Sequence, residues 1–375
     1  MKSLIRNLVL LAVALAMTAT SHAASLARSL DTIRAVGPEG KGNAEAAAAW
    51  KTVSAADSGE LITILKSMNG ANELAANWLR SAVDTIAARE LSAGSKLPVA
   101  ALQKYLADTK NDPAARRLAY EIIASADPAA GEKLISGMLE DPGAELRRDA
   151  VQRRIDAALA ARKAGNSNDA AARLQFVLPS ARDAEQLELI AKELKQLGQP
   201  VDLPKVFGWV WDWKVIGPFD STGGVGFDKV FPPEEKIDLA AEYDGKTGKV
   251  RWQDLSATGD GGLVDLNKPC GALKGVAGYA YTEFNSDSKR PVELRLGCKN
   301  AWKVWLNGKF LFGRDEYHRG MEIDQYRMAG ELKKGKNVIL VKICQNEQTE
   351  QWTKEWEFQL RVTDPLGAVV ASAKK

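Results

Sequence analysis

Two polar stretches in the C-terminal part of the chain carry residue types able to recognise a ligand. Residues 313–327 bring Asp315, Glu316, Tyr317, His318, Arg319, Gln325 and Tyr326, and residues 345–354 bring Gln348, Glu350 and Trp352. Carboxylates, amides and guanidinium groups pair with hydroxyls, while an aromatic ring offers a flat apolar face. Together they suit a sugar ring, with hydroxyls around its rim and C–H bonds on its faces. Trp305 joins this candidate ligand-binding set because strand alternation turns it away from Trp302, Val304 and Leu306, so that it is either a platform or covered by a loop. The opposing reading is that the polar residues are solvated connections and that Trp352 caps a sandwich.

Other chemistries lack their residues. The only histidines are His22 and His318. Loss of an N-terminal signal leaves His318 alone, so a histidine-rich metal site is excluded, and any Ser-His-Asp or Cys-His device has to use that one ring. Asp220 and Asp228 bracket a glycine loop, and Asp260 and Asp265 bracket Gly261-Gly262; each pair could ligate Ca²⁺, yet neither spacing fits a defined motif. No cofactor is expected, with calcium the one open alternative, and no catalytic or metal-ligating residue is assigned. Gly245-Lys246-Thr247 matches only the end of a phosphate loop, since Ala240 stands where glycine is needed, and the loop at Gly223 opens no helix, so a dinucleotide fingerprint fails. Nothing in the spacing singles out a carboxylate pair for glycoside hydrolysis.

The 375-residue chain carries 51 Lys and Arg against 48 Asp and Glu, a net charge of +3, with both signs interspersed. That balance creates no field able to gather nucleic acid. Residues 1–23 read as a signal peptide: Lys2 and Arg6 precede an apolar run from Leu8 to Met17, and Ser21-His22-Ala23 offers a cleavage position. The expectation is a periplasmic or secreted protein without a transmembrane segment in the mature chain. Cys270, Cys298 and Cys344 are a sparse set for such a compartment. One bridge with a spare thiol and three small buried thiols both remain open.

The elements that must position these residues differ between the two halves. Residues 24–200 are rich in Ala, Leu, Arg and Glu and lack strand alternation, so they read as helical. Asp112-Pro113, Asp127-Pro128 and Asp141-Pro142, spaced by 15 and 14 residues, each fit an N-cap followed by proline at the first helical position. The segments opening at Asp112 and Asp141 echo one another and resemble the Asp-Pro start and inner Arg of HEAT-type helical pairs. Helices are expected at Glu45 to Val53, Leu74 to Arg89, Val99 to Ala107 and Asp183 to Leu197. Gly198, Pro200 and Pro204 end this half.

Beyond residue 205, short apolar runs separated by Gly, Pro, Asn and Asp predict antiparallel strands at Phe207 to Ile216, Tyr279 to Phe284, Val292 to Cys298, Lys303 to Phe312, Asn337 to Gln345 and Trp356 to Val362. Alternation over the first run puts Trp209, Trp211 and Trp213 on one face, as a wall of the core or the surface that docks the helices, with a sugar platform as the alternative. Asn307-Gly308 between two apolar runs predicts a type I′ hairpin over residues 302–312.

Val304-Trp305-Leu306-Asn307-Gly308-Lys309 followed, after a polar loop, by Leu332-Lys333-Lys334-Gly335-Lys336-Asn337-Val338-Ile339-Leu340-Val341-Lys342 resembles the galactose-binding-like jelly-roll sandwich, an accessory domain of glycoside hydrolases and a free-standing carbohydrate-binding module. The wider frame, Trp213 to Phe219, Phe231-Pro232-Pro233-Glu234 and Phe358 to Gly367, resembles exported planctomycete-type proteins that join helical repeats to such a sandwich. The resemblance implies sugar binding through loops at one end. The expected fold is multidomain α then β: an α-helical, HEAT-like repeat domain at 24–200, an antiparallel jelly-roll β-sandwich at 205–368 and a tail at 369–375. The expected function is an exported, non-catalytic binding protein whose partner is a carbohydrate. The alternative is a structural module that docks another envelope protein. A glycan hydrolase is a third reading and needs two carboxylates about 5 to 9 Å apart across a groove.

Overall fold

The computed structural model describes residues 23–373, so the signal-peptide expectation lies outside the described residues. The chain divides into two compact units at Ala157/Ala158.

The first unit is helical. Its elements are α1 (described over residues 23–34), α2 (Asn43–Ser54), α3 (Leu61–Ser67), α4 (Glu73–Ser92), α5 (Val99–Ala107), α6 (Pro113–Ala126), α7 (Pro128–Ile135) and the start of α8 (Ala144–Lys163). Caps set several starts. Asn72 accepts from Ala75 N at 2.9 Å, Asp112 from Ala114 N and Ala115 N at 3.0 Å each, and Asp127 from Ala130 N at 3.0 Å. The third Asp-Pro pair departs from the expected pattern, because α8 begins at Ala144. The Asp141 carboxylate accepts from Gly143 N at 2.7 Å and also makes a two-pronged pair with the buried Arg116, at 2.8 and 2.6 Å, so the two echoing segments lock to each other. Other arginines satisfy carbonyls at helix ends, Arg34 at Asn69 O (3.0 Å) and Arg89 at Ser54 O (2.9 Å).

The second unit joins the rest of α8, α9 (Ser167–Val177), α10 (Ala184–Gln196) and α11 (Leu203–Phe207) to twelve strands among the described residues. The strands are β1 (Asp212–Asp220), β2 (Glu242–Asp244), β3 (Lys249–Arg251), β4 (Gln253–Ser256), β5 (Val264–Asp265), β6 (Val276–Ser286), β7 (Arg290–Cys298), β8 (Ala301–Leu306), β9 (Lys309–Arg314), β10 (Tyr326–Leu332), β11 (Gly335–Gln345) and β12 (Glu357–Thr363). Two short helices, α12 (Pro232–Glu235) and α13 (Asn267–Cys270), interrupt the connections. A six-stranded antiparallel sheet has the order β4-β1-β6-β11-β8-β9, and a four-stranded one the order β10-β7-β12-β5. They face each other over a shared core, in which Trp302, Val304, Ile343, Trp356, Phe358 and Leu360 are wholly buried. Each such side chain contributes about 1.5–3 kcal/mol by leaving water. The architecture is a helical region followed by an antiparallel sandwich.

The hairpin forms as read: Asn307 and Gly308, at φ +53° and +78°, both occupy the left-handed region that a type I′ turn requires. The three-indole face does not. β1 starts only at Asp212, so alternation does not run back through Trp209; Trp213 enters the core, Trp209 stacks on Phe207 at 5.2 Å, and Trp211 is left 37% exposed. The tail is also tied down, with Val370 N donating to Val362 O at 2.9 Å and its side chain buried.

The other face of the large sheet is covered by residues 221–252, which leave β1 and return to β4. Phe231 and Val250 pack there on Ile216, Phe219, Tyr279 and Cys344. The shared parity of Lys342 and Cys344 is thereby explained: both point to this covered face. Lys342 is wholly buried, and its ammonium is held by Phe227 O (3.1 Å), Lys229 O (2.7 Å) and Glu234 Oε1 (2.8 Å).

All three cysteines are free and buried, and burial pushes each thiol up to about 12. Thiolate, the reactive form, is therefore scarce at neutral pH. Iodoacetamide at pH 8 is expected to leave the native protein unmodified and to alkylate three sites after unfolding in guanidinium. Rapid labelling of any cysteine in the native state, read by intact mass, contradicts this packing.

Candidate functional site

The two polar stretches leave the same end of the large sheet. Cys344 of β11 sits opposite Ala301 of β8, and Trp302 of β8 opposite Arg314 of β9, so the chain exits β9 and β11 at one level. The loops meet at His318. Its φ is +57°, and its backbone N–H donates to Lys299 O at 2.6 Å, which turns the ring toward the second loop. His318 Nε2 lies 2.7 Å from Asn346 Oδ1. That oxygen also accepts from Gln348 N (3.2 Å), while Asn346 Nδ2 donates to Gln348 Oε1 (3.1 Å), so the amide orientation assigns the proton to His318 Nε2.

Trp352 stands above this junction. Its ring meets His318 edge to face, with centroids 5.4 Å apart at 88°, and it is 59% exposed. A large aromatic side chain held open to water on a braced loop is a ready stacking surface. The bracing comes from below. Thr353 is wholly buried; its Oγ1 lies 2.9 Å from Gln348 O and 2.8 Å from Glu350 O. Gln345 Nε2 donates to Thr353 O (2.9 Å), Lys274 Nζ to the same oxygen (2.7 Å), and Asn300 Nδ2 to Glu355 O (3.1 Å). The buried amides thus hold the turn that presents the indole.

Other expected residues fall at or away from this junction. Glu316 lies between Arg314 (3.3 Å) and Arg319 (3.7 Å) on the solvent side, and Gln348 and Glu350 are exposed at the rim. Asp315 is exposed, its carboxyl raised by partial burial and by Asp228, with Lys303 opposing. Tyr317 turns inward onto the covered face of the sheet, its hydroxyl raised by burial and without a hydrogen-bond partner among the described residues. Gln325 braces its own loop, accepting from Cys298 N (3.1 Å) and donating to Gly320 O (2.7 Å). Tyr326 packs on Trp302 at 4.8 Å. Trp305 lies within the sheet opposite Leu340 and beside Phe310 (5.7 Å), so it does not join Trp352. The structure therefore gathers His318, Gln348, Glu350 and Trp352, with Asp315, Glu316 and Arg319 nearby in the chain. It sends Tyr317, Gln325, Tyr326 and Trp305 to packing positions.

Sequence reasoning missed Asn300, Thr353 and Lys274, whose roles depend on partners in other loops. It also missed the clasp beside them. Glu347 Oε1 accepts from Gly223 N (2.6 Å), and Lys246 Nζ reaches Gly275 O (2.7 Å), Lys274 O (2.9 Å), Thr222 Oγ1 (2.9 Å) and Asp220 Oδ1 (3.3 Å). An ammonium thus sits among the oxygens where calcium was the open alternative. Hydrogen bonds from Thr222, and then Lys246, hold the Asp220 carboxyl below its ordinary range. Asp228 lies 3.3 Å from Lys303, and Asp265 Oδ1 accepts from Asn267 N (3.0 Å). No group of three or more His, Cys, Asp or Glu stands together to hold a metal among the described residues.

No hydroxyl or thiol is hydrogen-bonded to the His318 ring among the described residues. No described helix is long and apolar enough to cross a membrane. Set against protein-family models and against curated protein sequences, the chain finds no match in either.

Proposed function

We propose that this is an exported, non-catalytic binding protein whose sandwich, of the galactose-binding-like jelly-roll type, takes carbohydrate on the loops around Trp352, while HEAT-like helices serve as scaffold. One observation carries the reading: a 59% exposed indole is held edge-on to a histidine that is itself clamped between two loops. The indole supplies a stacking face, and Gln348, Glu350 and Arg319 supply rim groups for hydroxyls. The test is binding of the purified protein to immobilised polysaccharides, with Trp352→Ala as the probe. The variant is expected to retain the wild-type circular dichroism spectrum and to lose at least tenfold in affinity, about 1.4 kcal/mol or more. Equal retention of both proteins on every polysaccharide refutes the reading.

A second reading, docking to another envelope protein, has its own support. β9 is the edge of the large sheet, and its Phe310 and Phe312 are 49% and 45% exposed. Exposed apolar side chains on an unpaired edge favour strand addition by a partner. Lys309 and Arg314 at its two ends oppose that use, as charges on edge strands do.

A further inference from the structure

A cleft of about 480 Å³ lies on the covered face of the large sheet, bordered by Phe219, Phe231, Lys229, Tyr243 and three carboxylates. Phe219 and Phe231 form a buried aromatic floor, their centroids 4.9 Å apart. The carboxylates are all matched: Asp220 faces Lys246 at 3.3 Å, Asp244 faces Lys249 at 2.5 Å, and Glu242 is paired with Arg251. Lys229 is not matched. Its ammonium lies 5.1 Å from the Phe231 centroid, and among the described residues it meets no carboxylate. The Tyr243 hydroxyl is likewise without a partner among them. The cleft therefore offers, above an aromatic floor, an ammonium without a carboxylate partner and a hydroxyl whose ionisation is raised by burial and by Asp238. A ligand that suits it has an anionic group attached to a compact ring.

The cleft and the Trp352 junction belong to one end of the sheet. Asp220 of β1 and Gln345 of β11 are both opposite Val276 of β6, and Cys344 of β11 is opposite Ala301 of β8. Three strand spacings separate β1 from β8 there, about 14 Å. The Lys246 and Glu347 clasp ties together the intervening loops and so braces the cleft against the Trp352 junction.

We infer that the cleft is a second subsite of the same surface, that it takes a sugar unit bearing a carboxylate or sulfate on Lys229 and Tyr243, and that the ligand is an extended acidic polysaccharide. This rests on the carbohydrate reading of the Trp352 loops. It makes Lys229 the residue that sets ligand charge and Trp352 the residue that holds the chain regardless of charge.

The experiment is calorimetric titration of wild type, Lys229→Met and Trp352→Ala with polygalacturonate oligomers, with the same oligomers after reduction of their carboxyl groups, and with sulfated and neutral galactans. Lys229→Met keeps the side-chain stem and the backbone carbonyl that Lys342 holds, so folding is preserved. Carboxyl reduction is expected to weaken wild-type binding about tenfold, the scale of one lost charge-assisted hydrogen bond. Lys229→Met should bind the acidic oligomer as weakly as the reduced one, and Trp352→Ala should lose both. Preference for sulfated over neutral galactan, without preference for the uronate, assigns sulfate as the anion. Equal wild-type affinity for charged and uncharged chains that is lost in Trp352→Ala overturns the cleft and leaves the Trp352 reading standing. Sensitivity to Lys229→Met without sensitivity to Trp352→Ala overturns the Trp352 reading and with it the shared surface, leaving anion binding at the cleft alone, and no binding in any arm overturns both.

Discussion

Replacing Asp324 by Asn is expected to cost the fold about 3–5 kcal/mol, the scale for stripping one partner from a buried ion pair. Asp324 leaves the 313–327 stretch for the outer face of the four-stranded sheet. There it accepts from Arg361 Nε (2.7 Å), Arg361 Nη2 (2.5 Å) and Arg295 Nη1 (2.7 Å). Arg361 is wholly buried and Arg295 nearly so, with Glu293 taking the rest of the Arg295 guanidinium at 2.8 Å. With Asn in place, two guanidinium groups face one carboxylate away from water, and the amide cannot neutralise the surplus. Urea unfolding monitored by tryptophan fluorescence measures the loss; a change below about 1 kcal/mol contradicts the burial of this cluster.

The same cluster sets an acid limit. Burial by itself raises the Asp324 carboxyl, but the hydrogen bonds and charges of Arg361 and Arg295 outweigh it and leave the group below its ordinary range. A carboxyl depressed in the native state stabilises fully above its unfolded value of about 3.9, and that stabilisation disappears as pH falls through the native value. Wild type is therefore expected to lose stability steeply below about pH 4. The Asn variant, already lacking the contribution, should show a shallower slope there.

The second large effect belongs to Lys342. Lys342→Met leaves Glu234 Oε1 and the carbonyls of Phe227 and Lys229 buried without their ammonium, and a loss of about 3–5 kcal/mol is expected. Glu234 keeps a hydrogen bond from the Tyr279 hydroxyl, whose own ionisation is pushed up by burial and by that carboxylate. Because Lys342 pins residues 221–252 to the sheet, the variant should also expose amides in that segment. Hydrogen exchange is expected to rise there first, while the core strands β7 and β12 stay protected. Adding Glu234→Leu removes the stranded carboxylate and should recover part of the loss. A uniform rise in exchange across the sandwich rejects the pinning role.

Much of the architecture was legible because it is written in neighbours. The Asp-Pro pairs at 112 and 127, the Asn307-Gly308 turn and the alternation of Trp302, Val304 and Leu306 each act within about four residues along the chain. Physical chemistry at that range reads directly from residue order, and it determined helices first and an antiparallel sandwich after them. It also placed the two polar stretches in loops. It failed where local signals were not the whole story: Asp141 bonds both Gly143 N and the distant Arg116 while the helix starts only at Ala144, and Trp211 leaves the face of Trp213 because the strand begins late.

The site itself was decided only by tertiary structure. His318 finds Asn346 across 28 positions, Asp324 finds Arg361 across 37, and Lys342 finds Lys229 O across 113. Those meetings follow from strand order, which places β11 between β6 and β8 and so brings the ends of β1, β9 and β11 to one edge. No short-range pattern encodes that order, because it is set by how two sheets bury a common core. The sequence by itself therefore determined which side chains could touch a ligand. The pairing of strands decided that Trp352 and His318 share a surface while Tyr326, Gln325 and Trp305 serve the packing beneath and beside it.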